Sequence, residues 1–430
     1  MTRAPKGPRP FGLLKTIGGR SLARPAALFP GCTMFLTATN VFHYLRDTAL
    51  VSERDVLEEN FAVVEVGRRN RNFKILRGRG GSLFVKQVPL VHPETVSSFI
   101  KEAACAQIAA EAAEPSALRA VTPQLKRYDP ETHVLAYGLL ESAETLAELV
   151  VRNGAIPLPL TGRLARTLAA CHLETARPAA LSRVAAALSG QPPWVLVIGQ
   201  NAEMVMPNMN QGRRQVVDAI RATPELYHGL LDLQTRWRRL CLIHGDMKWD
   251  NVLLVTLPDG KQELRLIDWE LADLGDPLWD LASLLGSFLQ HWLLNIPLQH
   301  MQGDLQQALT HAPVPIAAVQ GAARELWTGY LSAARGELPV GIEFFADTVR
   351  LVGARLVLLA FELLPNEAAL TPHAAFALQL ARYLLAQPVQ AASDLLGVSA
   401  QFLRTAGSNA DATVAHDRPW QWAEAGAPVQ

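Results

Sequence analysis

Residues 242–254 read Leu-Ile-His-Gly-Asp-Met-Lys-Trp-Asp-Asn-Val-Leu-Leu, a set of polar groups at fixed offsets between two apolar runs. Asp246 offers a carboxylate, Lys248 an ammonium and Asn251 an amide. A carboxylate can accept a proton from an attacking hydroxyl, and an ammonium can neutralise charge developing on a transferred phosphoryl group. An amide oxygen is a hard ligand suited to Mg²⁺. These residue types together point to phosphoryl transfer. Such chemistry needs a second metal ligand, and Asp268, at the end of the strand-like run Leu264-Arg265-Leu266-Ile267, follows 22 residues after Asp246. Pro258-Asp259-Gly260 between them predicts a β-hairpin that sets Asn251 and Asp268 side by side, where both can hold Mg²⁺ against a nucleotide's phosphates.

His244-Gly245-Asp246 with Asn251 five positions on, then Ile267-Asp268-Trp269-Glu270, then Gly275-Asp276-Pro277 with Asp280-Leu281-Ala282, resembles the aminoglycoside phosphotransferase family of the protein-kinase-like fold. One H-G-D triplet is a weak signal, but three segments in this order and spacing are specific. Protein kinases carry H-R-D-x-x-x-x-N and D-F-G in the two corresponding places, so the match is to the variant used by small-molecule kinases. The resemblance implies an α+β, bilobal fold: a small five-stranded antiparallel lobe with one helix, then a larger, mainly helical lobe. The corresponding division is a basic, disordered extension over 1–40, the small lobe over 41–140, the large lobe over 144–405 and a flexible tail over 406–430.

The elements that must position these groups can be read in order. Three antiparallel strands are predicted over Phe61–Val66, Phe73–Leu76 and Ser82–Lys86, with a turn at 67–72. That turn lacks G-x-G-x-x-G; its Arg68, Arg69 and Arg71 read as a solvated hairpin tip, with contact to nucleotide phosphates as the functional alternative. Lys86 ends the third strand, and a helix is predicted over about Pro93 to Glu111. In the resemblance Lys86 anchors the α and β phosphates, and Glu102, 16 residues on, pairs with it and fixes its ammonium. Alone, an exposed Lys or Glu ordinarily means only solvation; the position on strand and helix favours function. Two further strands, Gln124–Tyr128 and His133–Leu140, complete the lobe. Leu140-Glu141-Ser142-Ala143 matches the hinge between lobes, where backbone groups at Leu140 and Ser142 would pair with an adenine edge.

The second lobe opens with helices over Thr145–Asn153 and Leu158–Glu174, with His172 near the end of the second as a satisfied core or capping residue. Gln191 to Asn210 reads as an irregular apolar loop, packing against the lobe or lining an acceptor pocket. Only 12 residues separate Asp268 from Asp280, leaving no room for a long activation segment, and no A-P-E motif follows. Asp280 in the family buttresses the catalytic loop. Farther on, Ile342, Phe345, Val349, Val352, Leu356, Leu359 and Leu363 recur at steps of three and four, one apolar helix face that reads as core. Another helix follows from about Pro372 to Gln387.

Composition bounds the alternatives. The chain has 430 residues, 49% of them apolar, and 40 basic residues balance 40 acidic ones. Global charge therefore points neither to nucleic acid nor to a membrane surface. The longest greasy run, around Leu351 to Leu364, is interrupted by Arg355 and Glu362, so no segment reads as membrane-spanning, and a cytoplasmic location is expected. Four scattered cysteines without a C-x-x-C pair read as reduced, buried thiols. The first 40 residues hold six Lys or Arg and no acid. They lack a hydrophobic segment with a small-residue cleavage site; disorder, or translation starting at Met34, accounts for them.

The combined expectation is an ATP- or GTP-dependent, Mg²⁺-dependent phosphotransferase acting on a hydroxyl. Asp246 is the expected proton acceptor, Asn251 and Asp268 the metal ligands, and Lys86, set by Glu102, the nucleotide anchor. Lys248 falls where Ser/Thr protein kinases place a lysine near the γ-phosphate; the alternative is a solvated loop lysine. Between Leu173 and Ile243 five acids face eight arginines, a balance unsuited to a polycationic aminoglycoside and better suited to a neutral or anionic small-molecule alcohol. Two other readings stand beside it: a kinase of Ser or Thr in a precursor peptide, and a silent nucleotide-binding scaffold. The completeness of the motif set weighs against the silent form.

Overall fold

In a computed structural model the structure describes residues 34–402 except 58–60, 67–70, 79, 89–92, 302–309, 335–341 and 400. Of the expected extension over 1–40, residues 1–33 lie outside the described residues, as do the arginines at 68 and 69 and the expected tail over 406–430; residues 34–40 are described, and Leu36 is buried in the core of the first lobe.

The first lobe is built on one five-stranded antiparallel sheet in the order β1-β2-β3-β5-β4. Its strands are β1 Ala62–Glu65, β2 Arg71–Leu76, β3 Leu83–Gln87, β4 Leu125–Asp129 and β5 Val134–Gly138. Because side chains alternate across a strand, Phe73, Ile75, Leu83, Val85, Val134 and Ala136 share one face. That face is covered by α1 (Val41–Asp47) through Val41, Tyr44 and Leu45, followed by the short α2 (Glu53–Leu57). On the opposite face Leu135 and Tyr137 pack against Phe99, Ala103 and Ala106 of α3 (Pro93–Glu111). Lys86 follows Val85, so it points to the α3 face, and this parity brings it to Glu102. Arg71 belongs to β2 rather than to the predicted turn, and its Nη1 donates to the Leu36 carbonyl at 2.9 Å, so it is spent on the N-terminal segment.

After α4 (Ala117–Val121) and β5, the chain enters the second lobe through β6 (Ala143–Thr145) and α5 (Leu146–Asn153). Thr145 and Glu148 close a capping box at the start of α5. Then come α6 (Leu158–Ala176), α7 (Pro178–Ala187), α8 (Trp194–Val205), α9 (Gln211–Ala222) and α10 (Pro224–Thr235). Helix α8 corrects the expected loop over 191–210. Its β-branched and aromatic residues are poor helix formers, but Val195, Leu196, Ile198 and Ala202 are buried at helical spacing. A Cβ at Gly199 would lie 3.1 Å from the Tyr227 ring, so α8 and α10 are closely packed. Packing here overrides propensity, and the backbone leaves helical geometry only at Asn201.

A strand β7 (Cys241–Ile243) follows, then the hairpin β8 (Val252–Thr256) and β9 (Gln262–Leu266), and β10 (Asp273–Gly275) antiparallel to β7. The longer helices that follow are α11 (Pro277–Leu294), α12 (Ile316–Ala333), α13 (Ile342–Glu362) and α14 (Pro372–Ala386), with a short helix over Pro388–Ala391 after them. The expected apolar face of α13 is core: Phe345, Val349, Val352, Leu356 and Leu359 are all buried. Cys105, Cys171 and Cys241 are buried free thiols, while Cys32 lies outside the described residues. Among the described residues no helix is long and apolar enough to cross a membrane.

Candidate active site

The loop after β7 is held from beneath. Asp280, in the first turn of α11 and fully buried, accepts the backbone N–H of His244 at 2.6 Å and of Gly245 at 2.9 Å. His172 Nε2 lies 3.2 Å from the same carboxylate, and His172 Nδ1 lies 2.8 Å from the Tyr330 hydroxyl. The network assigns the ring proton to Nε2, which donates to Asp280, while Nδ1 accepts from Tyr330. His172 is thus the satisfied core histidine that was expected. Gly245 has φ +82°, and a Cβ there would meet the Leu271 carbonyl oxygen at 2.1 Å; only glycine fits. The Trp279 indole N–H closes the loop by donating to the Gly245 carbonyl at 2.8 Å.

This frame presents Asp246, 8% exposed. Lys248 Nζ donates to Asp246 Oδ2 at 2.6 Å, while its side chain stays partly exposed. Asn251 Nδ2 donates to the Asp246 carbonyl at 2.8 Å, which commits its nitrogen and leaves its amide oxygen as a ligand atom. Arg355 Nη2 lies 3.6 Å from Asp246 Oδ1. Burial pushes the Asp246 carboxyl up, but Arg355 and then Lys248 outweigh it and hold the group below the ordinary carboxylate range. It is a charged acceptor at neutral pH.

The second cluster joins the two lobes. Lys86 Nζ donates to Glu102 Oε2 at 2.6 Å and to Asp268 Oδ1 at 3.0 Å, and lies 3.5 Å from Glu270 Oε2. Burial pulls the Lys86 ammonium down, yet Glu102 and then Asp268 and Glu270 raise it above the ordinary lysine value, so it stays charged. The Tyr137 hydroxyl holds the other Glu102 oxygen at 3.2 Å. Beside Glu102, Lys101 reaches into the second lobe, its Nζ 2.6 Å from Asp273 Oδ2. The hairpin carries Asp268 to Asn251: Val252 pairs with Leu266, and Ile267 N–H donates to the Asn251 carbonyl at 3.0 Å. Asp268 has φ +63°, a left-handed conformation that ends the strand path and turns its carboxylate toward Lys86.

Oxygen atoms of Glu102, Asp268 and Glu270 lie within 4.8 Å of one another. This donor set is all oxygen, the kind that suits Mg²⁺. At the hinge, the Ser142 carbonyl accepts Thr256 N–H at 3.0 Å, joining the linker to β8, with Ser142 at φ +50°. The backbone N–H and C=O of Leu140 pair with no other described residue, which leaves them open to a base edge. A separate groove of about 580 Å³ beside Ser142, Arg152 and Arg163 contains none of the acidic residues above.

Lys86, Glu102, Asp246, Lys248, Asn251 and Asp268, the residues the sequence singles out, lie in this one region. Glu270 has no role assigned by its motif, and Arg355 stands out in the sequence only as a break in an apolar run. Arg355 had a signal: it lies three residues after Val352, on the stripe that is otherwise core, so a buried charge was implied there.

The model of the phosphotransferase enzyme family matches residues 60–312, more than half of the chain. Among curated proteins, acyl-CoA dehydrogenase family member 11 of Rattus norvegicus is 37% identical over 67 residues, 16% of this chain and 8% of that protein. Family member 10 of Mus musculus is 44% identical over 55 residues, 13% of this chain and 5% of that protein. The aligned segments thus span less than a tenth of those relatives. Among solved structures, the choline kinase LicA from Streptococcus pneumoniae is 18% identical, with a TM-score of 0.45 over 81% of this chain and 99% of that one. A choline kinase from Cryptosporidium parvum is 12% identical, with a TM-score of 0.49 over 87% and 99%. With the H-G-D loop, the hairpin and the paired Lys86 and Glu102 in one frame, and with the family model matched across them, the chain belongs to the phosphotransferase enzyme family.

Proposed function

We propose that the protein is a Mg²⁺-dependent phosphotransferase that moves the γ-phosphoryl group of ATP or GTP to the hydroxyl of a small molecule. The observation that carries this reading is the convergence of two sets from distant parts of the chain: Asp246 with Lys248 and Asn251, and Lys86 with Glu102 and Asp268. A silent scaffold has no need for both.

In this reading Asp246 orients the acceptor hydroxyl. As the hydroxyl oxygen bonds to the γ-phosphorus, its proton passes to Asp246; the bond from that phosphorus to the β–γ bridging oxygen breaks, and the nucleoside diphosphate leaves with the electron pair. Lys248 already holds Oδ2, so Oδ1 is the oxygen that receives the proton. The Lys248 ammonium lies where charge spreads over the transferred group. Lys86, kept in place by Glu102, anchors the α and β phosphates, and the Leu140 backbone faces the base. Asn251 and Asp268 would hold Mg²⁺, which when bound neutralises phosphate charge.

Two cations, Lys248 and Arg355, flank Asp246. A polycationic aminoglycoside would meet repulsion there, whereas a neutral or anionic alcohol would not. A cytoplasmic site of action, where nucleoside triphosphates are held, follows from the same reading.

The test is a thermal-shift titration with MgATP and MgGTP, then ³¹P NMR of nucleotide turnover against a panel of small alcohols, hydroxy acids and amino alcohols. Nucleotide-dependent stabilisation with phosphorylation of an acceptor is expected. Asp246→Ala should keep nucleotide binding and lose transfer by about 10³-fold or more. Binding without turnover on any acceptor, water included, would support the silent module instead.

A further inference from the structure

Helix α13 lies outside the residues matched by the family model, yet it sends a charged side chain to the centre of the site. Arg355 is 7% exposed. Its guanidinium stacks over Trp279 at 5.4 Å, on the residue whose indole N–H holds the Gly245 carbonyl. Its stem passes α11 at Gly286, where a Cβ would lie 3.2 Å from the Arg355 Cβ. The side chain is therefore fixed by two residues of α11 and ends 3.6 Å from Asp246 Oδ1.

Packing alone does not account for a charge there. Arg355 Nη1 is buried with no hydrogen-bond partner. Its neighbours on the stripe, Val352, Leu356 and Leu359, are apolar core. Replacing a whole buried ion pair by apolar side chains is often neutral for stability, whereas removing one partner is costly unless the other keeps a counter-charge; Asp246 keeps Lys248 at 2.6 Å when Arg355 alone is replaced. The two oxygens of Asp246 are also differently engaged. Oδ2 accepts from Lys248 at 2.6 Å and lies 3.4 Å from Asn251 Nδ2. Oδ1 faces Arg355 Nη2 at a distance too long for a hydrogen bond and short enough for strong electrostatic attraction. The charged or titratable groups around Asp246 are Lys248 and His244 on its own loop and Arg355 and Glu362 on α13.

We propose that Arg355 is a positioning residue for Asp246, an electrostatic stop that keeps Oδ1 turned toward the acceptor without occupying its lone pairs. The proposal rests on the reading of Asp246 as proton acceptor. Arg355 pulls the carboxylate against the opposing pull of Lys248 on Oδ2 and so defines one rotamer. Because the stem is held at Gly286 and the guanidinium lies over the Trp279 ring, it does not follow the carboxylate if that group swings away.

The test compares wild-type full chain with Arg355→Met, Arg355→Lys, Asp246→Asn and the Arg355→Met, Asp246→Asn double variant. The probe is MgATP, with water as acceptor. Arg355→Met should keep or raise the thermal midpoint and leave the KM for MgATP within about twofold. It should lower kcat by about 10- to 100-fold, the scale of a misplaced reacting group. Arg355→Lys, which keeps the charge, should recover at least about tenfold of that loss. Parallel loss of thermal midpoint and activity, with the lysine variant no better than the methionine one, would overturn the proposal in favour of a purely structural arginine. The thermal midpoints of the four-member cycle give a readout that needs no turnover: the shifts of the two single variants should fail to add in the double. Additive shifts overturn the proposal whatever the hydrolysis shows. Coupled shifts in a wild-type protein that turns over no MgATP leave the Arg355–Asp246 link standing and reject the phosphotransfer reading.

Discussion

The Lys86 ammonium and the Glu102 carboxylate meet at 2.6 Å, and each side chain is less than a tenth exposed. A surface pair of this kind contributes little, but breaking a buried one leaves an uncompensated charge and costs about 3–5 kcal/mol. Here Lys86 has two further carboxylates, Asp268 and Glu270, ready to take it. Glu102→Gln should therefore be tolerated by the fold while its lysine moves toward Asp268. The expected outcome is a loss of MgATP affinity of about tenfold or more, equal to ~1.4 kcal/mol, with a smaller change in kcat. Calorimetric titration with MgATP checks this; unchanged affinity would show that Glu102 does not set the anchor.

Asp280 acts at a distance from any substrate. Its carboxylate satisfies two consecutive backbone donors of the catalytic loop and one imidazole of α6, so it ties α11, the loop and α6 together. Asp280→Asn replaces one acceptor by an N–H₂ that faces another donor, so at least one buried group goes unsatisfied. A buried donor left unpaired costs about 1–3 kcal/mol, more when a charge was its partner. The variant should melt several degrees lower and lose turnover by about 10²-fold through displacement of the loop. His172→Phe removes the contacts to Asp280 and to the Tyr330 hydroxyl but leaves both backbone bonds of the loop, and should affect stability more than rate. Comparable loss of rate in both variants would mean that the histidine, too, sets the loop.

How far the chain could be read before folding depended on the range of the forces involved. Asp246, Lys248 and Asn251 lie on one loop, and their offsets alone carry the chemistry. Asp268 was reachable because Pro258-Asp259-Gly260 specifies a hairpin, and a hairpin fixes which residues face each other. Lys86 and Glu102 were reachable because strand parity and helix order place them. Arg355 was not, since its approach to Asp246 depends on how α13 crosses α11, on room left by Gly286 and on the Trp279 face. Helix α8 was missed for a related reason: Trp194, Val195, Val197 and Ile198 favour extended backbone locally, and only the contact with α10 makes the helix the better state.

Two glycines with nearly the same φ separate strain from steric exclusion. Gly245 has φ +82° and Gly260 φ +81°. An added Cβ meets the Leu271 carbonyl oxygen at 2.1 Å in the first case and nothing within 4 Å in the second. Gly260→Ala should cost only the left-handed penalty, about 1–2 kcal/mol, and leave turnover unchanged. Gly245→Ala adds a backbone collision next to Asp246, so a larger loss of stability and near-complete loss of turnover are expected. Thermal melts and MgATP turnover of both variants check the contrast, and equal effects would refute it.

The covering helix of the small lobe predicts an acid-dependent change. Tyr44 of α1 donates its hydroxyl to Asp129 Oδ2 at 2.9 Å, tying the helix to the end of β4. Burial pushes the Asp129 carboxyl up, but the Thr132 backbone and side chain, then Tyr44 and Glu131, hold it below the ordinary carboxylate value. A depressed folded value means that the unfolded chain binds the proton first, so the group's stabilisation is present above the unfolded value of about 3.9 and is lost as pH falls through the folded one. Tyr44→Phe removes one of the bonds that depress Asp129. The variant should melt below wild type at pH 7, with the gap between the two narrowing as pH falls below about 4. Melting curves across that range check the sign: a gap that widens in acid would show that Tyr44 stabilises the protonated carboxyl instead.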